Sequence, residues 1–365
     1  MNILIVKLSA IGDVIHTLPA LNAIRKQYPR AHITWLVEEA AADLIQGHAA
    51  LNRVLISKRK EWIKGLFGLH WHKNASAIQQ FVRTLRDTEY DIIIDFQGLF
   101  KSGILVGLAQ GKRKIGFDKG MDHMECSYLF YNEKVKPVDM EIHALTRGMM
   151  LIESIGVHSR DIHYHIPVTA KDRVKTADLL DRHGIGEDAL FVAINPMAKW
   201  RTKLWGNAKF ARLASQIRAD LKAKVVFSGS VKDRLEIAEI ESQMGGGAVN
   251  LAGKTTLKML AALYQKAGCV IVTDTGPMHL AAAVEAPLVA LFGPTAPWRT
   301  GPFGDGHRVL REGLDCSPCF KRHCRSMDCM KQISVASVYA NVEQVLQLHK
   351  KHDKGGLNDS QSGIT

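Results

Sequence analysis

Residues 269–294, CVIVTDTGPMHLAAAVEAPLVALFGP, read as strand, polar turn, helix and second strand. The runs Cys269–Thr273 and Leu288–Phe292 are short, continuous and apolar, the pattern of strands covered on both faces. Between them, Thr273-Asp274-Thr275-Gly276 forms a turn that opens a helix, with Pro277 early enough in that helix for its missing N–H to cost nothing. The first N–H groups of a helix have no intrahelical partner and sit at the positive end of its dipole. An anion beside Thr275, Gly276 and Met278 would therefore be stabilised, as phosphates are at such termini. Asp274 would repel a phosphate and is better suited to accept hydrogen bonds from sugar hydroxyls or backbone. The competing reading is that Asp274 caps the helix and Gly276 makes the turn.

The same alternation extends almost from end to end. Strands are predicted at Ile3–Leu8, His32–Val37, Arg53–Ile56, Asp91–Phe96 and Lys114–Phe117, then at Phe191–Ile194, Lys224–Ser228, Ala248–Leu251 and the two quoted above. Helical spacing of Val14, Leu18, Leu21 and Ile24 predicts a helix over Asp13–Tyr28, stopped by Pro29. The expectation is an α/β protein of two facing Rossmann-like, doubly wound domains, with a ligand cleft at the carboxyl ends of both sheets. At 365 residues, two cores are the natural outcome. The polar stretch Val168–Asp188, with its own helix and a His183-Gly184-Ile185-Gly186 break, is the expected linker region. The predicted division is 1–170 and 171–334, a closing helix over 335–351 returning to the first domain, and a polar disordered tail over 352–365.

Lys and Arg outnumber Asp and Glu 48 to 36, a net charge of +12, which favours anionic partners. The basic clusters Lys58–Lys64, Lys112–Lys114 and Lys321–Arg325 are scattered, not a stripe, and argue against nucleic acid. No apolar run reaches the roughly 20 residues a spanning helix needs, and the amino terminus reads as a strand, not a signal peptide; a cytoplasmic protein is expected.

Asp13, just beyond the first strand, can accept the proton of an attacking hydroxyl; it can equally cap a helix. His16 follows one turn later and reads most simply as a surface histidine. In Asn195–Trp205, NPMAKWRTKLW, three cations and two tryptophans suit a diphosphate and a ring, with Lys203 the choice to neutralise a leaving phosphate. Residues 248–255 end like a P-loop, but Ala248 stands at the first glycine position, so ATPase activity is rejected. No G-x-G-x-x-G follows the first strand, which counts against a nicotinamide dehydrogenase. Cys316, Cys319, Cys324 and Cys329 form C-x2-C-x4-C-x4-C, a spacing compatible with zinc, an iron–sulfur cluster, a reduced structural set or a redox pair. Cys126 and Cys269 read as buried thiols.

In combination, KLSAIGDVIHTLPAL (7–21), NPMAKWRTKLW (195–205), NLAGKTTL (250–257), TDTGPMHLAAA (273–283) and LVALFGPTAP (288–297) resemble glycosyltransferase family 9, the ADP-heptose:lipopolysaccharide heptosyltransferases. VEEAAADLIQGHAALNRV (37–54) and the basic segment after it are most similar to the heptosyltransferase I branch. The resemblance implies a GT-B fold and inverting transfer of heptose from ADP-heptose to the Kdo of lipid A at the inner leaflet of the inner membrane, with no cofactor or metal required. It implies Asp13 as catalytic base, Lys203, Asp274, Thr275, Gly276 and His279 as donor contacts, and Lys60 and Lys64 as contacts to the anionic acceptor. Lysine offers a point charge where arginine would grip phosphate with two bonds. The alternatives are heptosyltransferase II or another family member with a different acceptor, and a sugar-nucleotide-binding protein without turnover. The four-cysteine loop lies outside the resemblance.

Overall fold

A computed structural model describes residues 1–66, 71–121 and 125–355. The chain divides into two compact units, Met1–Pro167 and Val168–Thr365. In the first, β1 (Asn2–Val6), β2 (His32–Glu38), β3 (Arg53–Ser57), β4 (Tyr90–Asp95), β5 (Gly111–Phe117) and β6 (Glu133–Val135) form one sheet in the order β3-β2-β1-β4-β5-β6. In the second, β7 (Phe191–Asn195), β8 (Lys224–Phe227), β9 (Val249–Asn250), β10 (Cys269–Thr273), β11 (Leu288–Phe292) and β12 (Arg308–Arg311) stand in the order β12-β11-β10-β7-β8-β9. Every strand pair is parallel. Strand by strand the second order repeats the first, so the chain contains the same doubly wound unit twice.

The central strands hold the cores. Ile3, Leu4, Ile5 and Val6 of β1 are wholly buried, as are Val270, Ile271 and Val272 of β10. Each such side chain contributes about 1.5–3 kcal/mol by leaving water. Two edge strands, β6 and β12, were not predicted. Their sequences, EKV and RVLR, are short and charged, and in β12 only Leu310 is buried. An edge strand has a neighbour on one side only and its open side is kept from further pairing by short length and charge, so it lacks the continuous apolar run that marks its central neighbours.

The first helix spans Ile11–Gln27 and is buried along most of its length, including at Gly12, His16 and Thr17. His16 is therefore not the surface residue expected; its ring packs on His143, centroids 5.0 Å apart. The stretch read as linker carries a capped helix, Ala170–Asp181, in which Thr169 Oγ1 accepts from Asp172 N–H at 3.2 Å. It packs against the helix Leu257–Lys266 as part of the second unit. The closing helix, Val335–Gly355, was expected against the first domain. Its observed packing is on β10, β11 and the helix Asn207–Leu221 of its own unit. The reason is a stripe of Val338, Val342, Val345 and Leu346, which completes that unit's core. The helix runs through 351–355, where a tail was expected; the rest of the expected tail, 356–365, lies outside the described residues. Among the described residues no helix is long and apolar enough to cross a membrane.

Candidate functional site

Where strand order reverses in a parallel sheet, the loops leaving the two strands diverge and open a crevice at their carboxyl ends. That point lies between β1 and β4 in the first unit and between β7 and β10 in the second. Asp13 lies in the helix that follows β1, and Lys203, Asp274, Thr275 and Gly276 follow β7 and β10, whereas Lys60 and Lys64 follow β3 and the four cysteines follow β12.

In the first unit, the loop after β1 is held by the loop after β4: Gln97 Oε1 accepts from Leu8 N–H at 3.0 Å and from Ser9 N–H at 2.9 Å. β1 accordingly ends at Val6, before the predicted Leu8, and Lys7 enters the crevice region. The Lys7 ammonium donates to the Phe96 carbonyl at 2.8 Å. Burial lowers its pKa, while Asp13 and Asp95 act in the opposite sense. Asp13 sits in the first turn of the helix, half-buried, where its Oδ2 accepts from Ala10 N–H at 2.8 Å. Both sequence readings of Asp13 thus have a physical counterpart: one oxygen braces the helix start, and the residue lines a cavity of about 390 Å³. Lys7, His16, Asp95, Gln97 and Arg147 also line that cavity. The buried Asp95 carboxylate accepts from Ser102 Oγ at 2.7 Å, Tyr131 OH at 2.8 Å and the N–H groups of Gln97 and Gly98. Burial raises its pKa against these four bonds.

Beside this loop, Glu38 at the end of β2 gathers three cations. Its carboxylate meets Lys60 at 2.8 Å, Lys101 at 3.2 Å and Arg59 at 3.4 Å. Burial pushes its pKa up, but the lysines outweigh it and hold Glu38 below the usual glutamate range. Lys101 also donates to Ser9 Oγ at 2.8 Å, linking this cluster to the Asp13 loop. Lys60 and Lys64 share the short helix Arg59–Leu66, with Lys64 exposed.

In the second unit, Lys203 Nζ reaches Asp274 Oδ2 at 2.5 Å, and Thr295 Oγ1 donates to the same oxygen at 2.6 Å. Asp274 does not cap the helix. That helix, Gly276–Ala283, has Thr275 at its N-cap with no side-chain cap bond, because Thr275 Oγ1 turns back to the Thr273 carbonyl at 3.2 Å. His279 lies buried one turn further on. The Lys203 ammonium rides over the Trp200 ring, 4.6 Å from its centre, and Arg322 covers the same ring at 5.0 Å. Trp205 is not available to a ligand as expected: it is core, with its indole N–H donating to the Ile333 carbonyl at 2.9 Å. β9 lies inside the segment that mimics a P-loop, consistent with its rejection.

Sequence reasoning missed Lys7, Glu38, Asp95, Gln97, Lys101 and Arg147. Lys7 lay inside the predicted strand Ile3–Leu8, and Glu38 directly after the predicted strand His32–Val37. Arg147 lies within a helix, Ala144–Glu153, that carries no motif. Cys126, expected to be buried, is exposed.

Two parallel Rossmann-like units, each with polar loops at its strand-order reversal, are the architecture of the GT-B fold. The chain belongs to glycosyltransferase family 9 (heptosyltransferase), which matches residues 78–330. It is 30% identical over 328 residues to lipopolysaccharide heptosyltransferase 1 of Pseudomonas aeruginosa (strain PAO1), covering 89% of this chain and 87% of that protein. The Escherichia coli heptosyltransferase WaaC with ADP superposes with a TM-score of 0.74 at 27% identity, over 94% of this chain and 100% of that one. The same enzyme with ADP-2-deoxy-2-fluoro heptose gives 0.71 at 27% identity, over 94% and 99%.

Proposed function

We propose that the protein transfers heptose from ADP-heptose to a Kdo residue of the lipopolysaccharide inner core, with inversion at the anomeric carbon. The reading is supported by the similarity to heptosyltransferase 1 and to a relative solved with an ADP-heptose analogue. Asp13 takes the proton of the acceptor hydroxyl as its oxygen attacks the anomeric carbon. The bond to the diphosphate breaks and ADP leaves. Lys203 and the N–H groups at Thr275, Gly276 and Met278 receive the charge that develops on the leaving group. Asp274 and His279 orient the donor, and Lys60 and Lys64 meet the acidic acceptor at the membrane surface. No metal ion or cofactor enters these steps.

The observation that carries this reading is the Asp13 carboxylate in the first unit's cavity, with one oxygen anchored to Ala10 N–H and Lys7 among the other lining residues. The test supplies ADP-heptose with lipid A bearing one or two Kdo residues, in parallel with an acceptor already carrying heptose. Transfer to the Kdo acceptor is expected, with Asp13→Ala and Asp13→Asn reducing kcat by roughly 10²–10⁴ while donor binding is kept. Transfer only to the heptosylated acceptor would reassign the substrate. Unchanged turnover in both variants would remove Asp13 as base, and donor binding without any turnover would make the protein a binding module.

A further inference from the structure

The four cysteines of the second unit have no part in the transfer chemistry above, yet the fold collects them. Cys316, Cys319, Cys324 and Cys329 all line one cavity of about 20 Å³, together with Thr202, Pro294 and Met327. None of the four is in a disulfide. The cavity is close to the space one water molecule needs, the scale of a single ion and not of a multi-iron cluster.

The loop around it is shaped at the backbone. Phe320 and Met327 both hold left-handed conformations, φ 53° and 54°, which residues with side chains seldom adopt unless their surroundings impose it. The Met327 N–H is aimed at Cys324 Sγ, 3.4 Å away, and Ser326 Oγ lies 3.7 Å from the same sulfur. Donors directed at sulfur favour its thiolate form, the form that ligates metals. Both ends of the loop are anchored. Cys319 N–H donates to the Pro294 carbonyl at 3.0 Å, Ser317 Oγ to the Gly293 carbonyl at 2.6 Å, and Cys329 is buried in the core beside Met330. Cys316 and Cys324 are exposed and also line the cavity. Among the described residues no three His, Cys, Asp or Glu side chains stand as a ready metal-holding group, so coordination requires the cysteine side chains to draw together.

We propose that these cysteines bind one thiophilic divalent metal, zinc or ferrous iron, as a tetrathiolate site. Four thiols release four protons on binding, and the resulting centre carries two negative charges. Lys321, Arg322 and Arg325 in the same loop supply compensating charge. The site would be structural, since four sulfur ligands leave no open position. Thr202, next to Lys203, donates to the Lys321 carbonyl at 2.9 Å, and Thr295, next to Pro294, donates to Asp274. A closed metal knuckle would thus brace both sides of the Lys203–Asp274 pair.

The test is elemental analysis of the full-length protein, purified untagged, reduced and without chelators, followed by cobalt(II) reconstitution. About one zinc or iron per chain is expected, with thiolate-to-cobalt charge-transfer absorption after exchange. The exposed-site variants Cys316→Ser and Cys324→Ser should lose the metal to a mild chelator while circular dichroism stays unchanged; Cys126→Ser should keep it. Absence of stoichiometric metal both before and after reconstitution overturns the proposal. So does a metal in Cys316→Ser and Cys324→Ser that resists chelator as well as in the parent protein, or acid-labile sulfide in amounts matching the iron.

Discussion

Lys203 combines an observed ion pair with the donor contact proposed for it. Its ion pair with Asp274 lies largely out of water, with side-chain exposures of 16% and 6%, so the attraction is little screened and the loss of either partner strands a charge. Thr295 still donates to Asp274 when the lysine is gone, which limits the damage. Lys203→Ala is expected to cut kcat/KM for ADP-heptose by roughly 10²-fold and to lower stability by about 1–3 kcal/mol. Lys203→Met, which keeps an unbranched apolar chain of similar reach beside Trp200, should recover part of the stability and none of the activity. Steady-state kinetics with urea unfolding separates the two effects; equal loss and equal recovery of both would make the lysine purely structural. The residue types for this pair were legible in the sequence, but their pairing was not. Lys203 and Asp274 are joined only because β7 and β10 are neighbours in the sheet.

At the scale of elements, a glycine in β5 fixes a carboxylate in β4. A Cβ on Gly116 would overlap the Tyr131 ring, and Tyr131 OH is one of the donors that satisfy the buried Asp95. Gly116→Ala should therefore push the ring away and leave Asp95 short of a partner, at a cost of about 1–3 kcal/mol. Tyr131→Phe, which removes the hydroxyl without the clash, should cost about 1 kcal/mol. A thermal-melt comparison decides: if Gly116→Ala is no worse than Tyr131→Phe, steric displacement is not the mechanism. Sequence patterning located β4, which carries the apolar run Ile92–Ile94, and the Lys114–Phe117 end of the largely polar β5. It could not reveal β6, whose three residues pair with β5 through backbone bonds that any sequence can make.

For the whole molecule, acid stability has an identifiable contributor. His48 is buried, and burial, with His165 packed 5.0 Å away, lowers its pKa to about 4. The unfolded chain takes that proton near pH 6.5, whereas the folded protein refuses it until about pH 4. Stability from this site is thus complete above pH 6.5 and lost progressively as the pH falls toward 4, by about 3 kcal/mol at most. Urea unfolding at a series of pH values should show this slope in the parent protein and a shallower one in His48→Gln; identical slopes would assign the acid sensitivity elsewhere.

By itself the sequence determined the fold class, the strand–turn–helix units and the motifs that mark the family. These depend on short-range patterns: apolar runs, turn residues and spacing along a few turns of chain. Tertiary structure decided which of those residues meet. It joined Lys203 to Asp274, gathered Lys60, Lys101 and Arg59 around Glu38, buried Trp205 and His16, and sent the closing helix onto its own unit's core. Such contacts link residues far apart along the chain, and their partners are set by strand order and sheet geometry, which no local pattern of residues encodes.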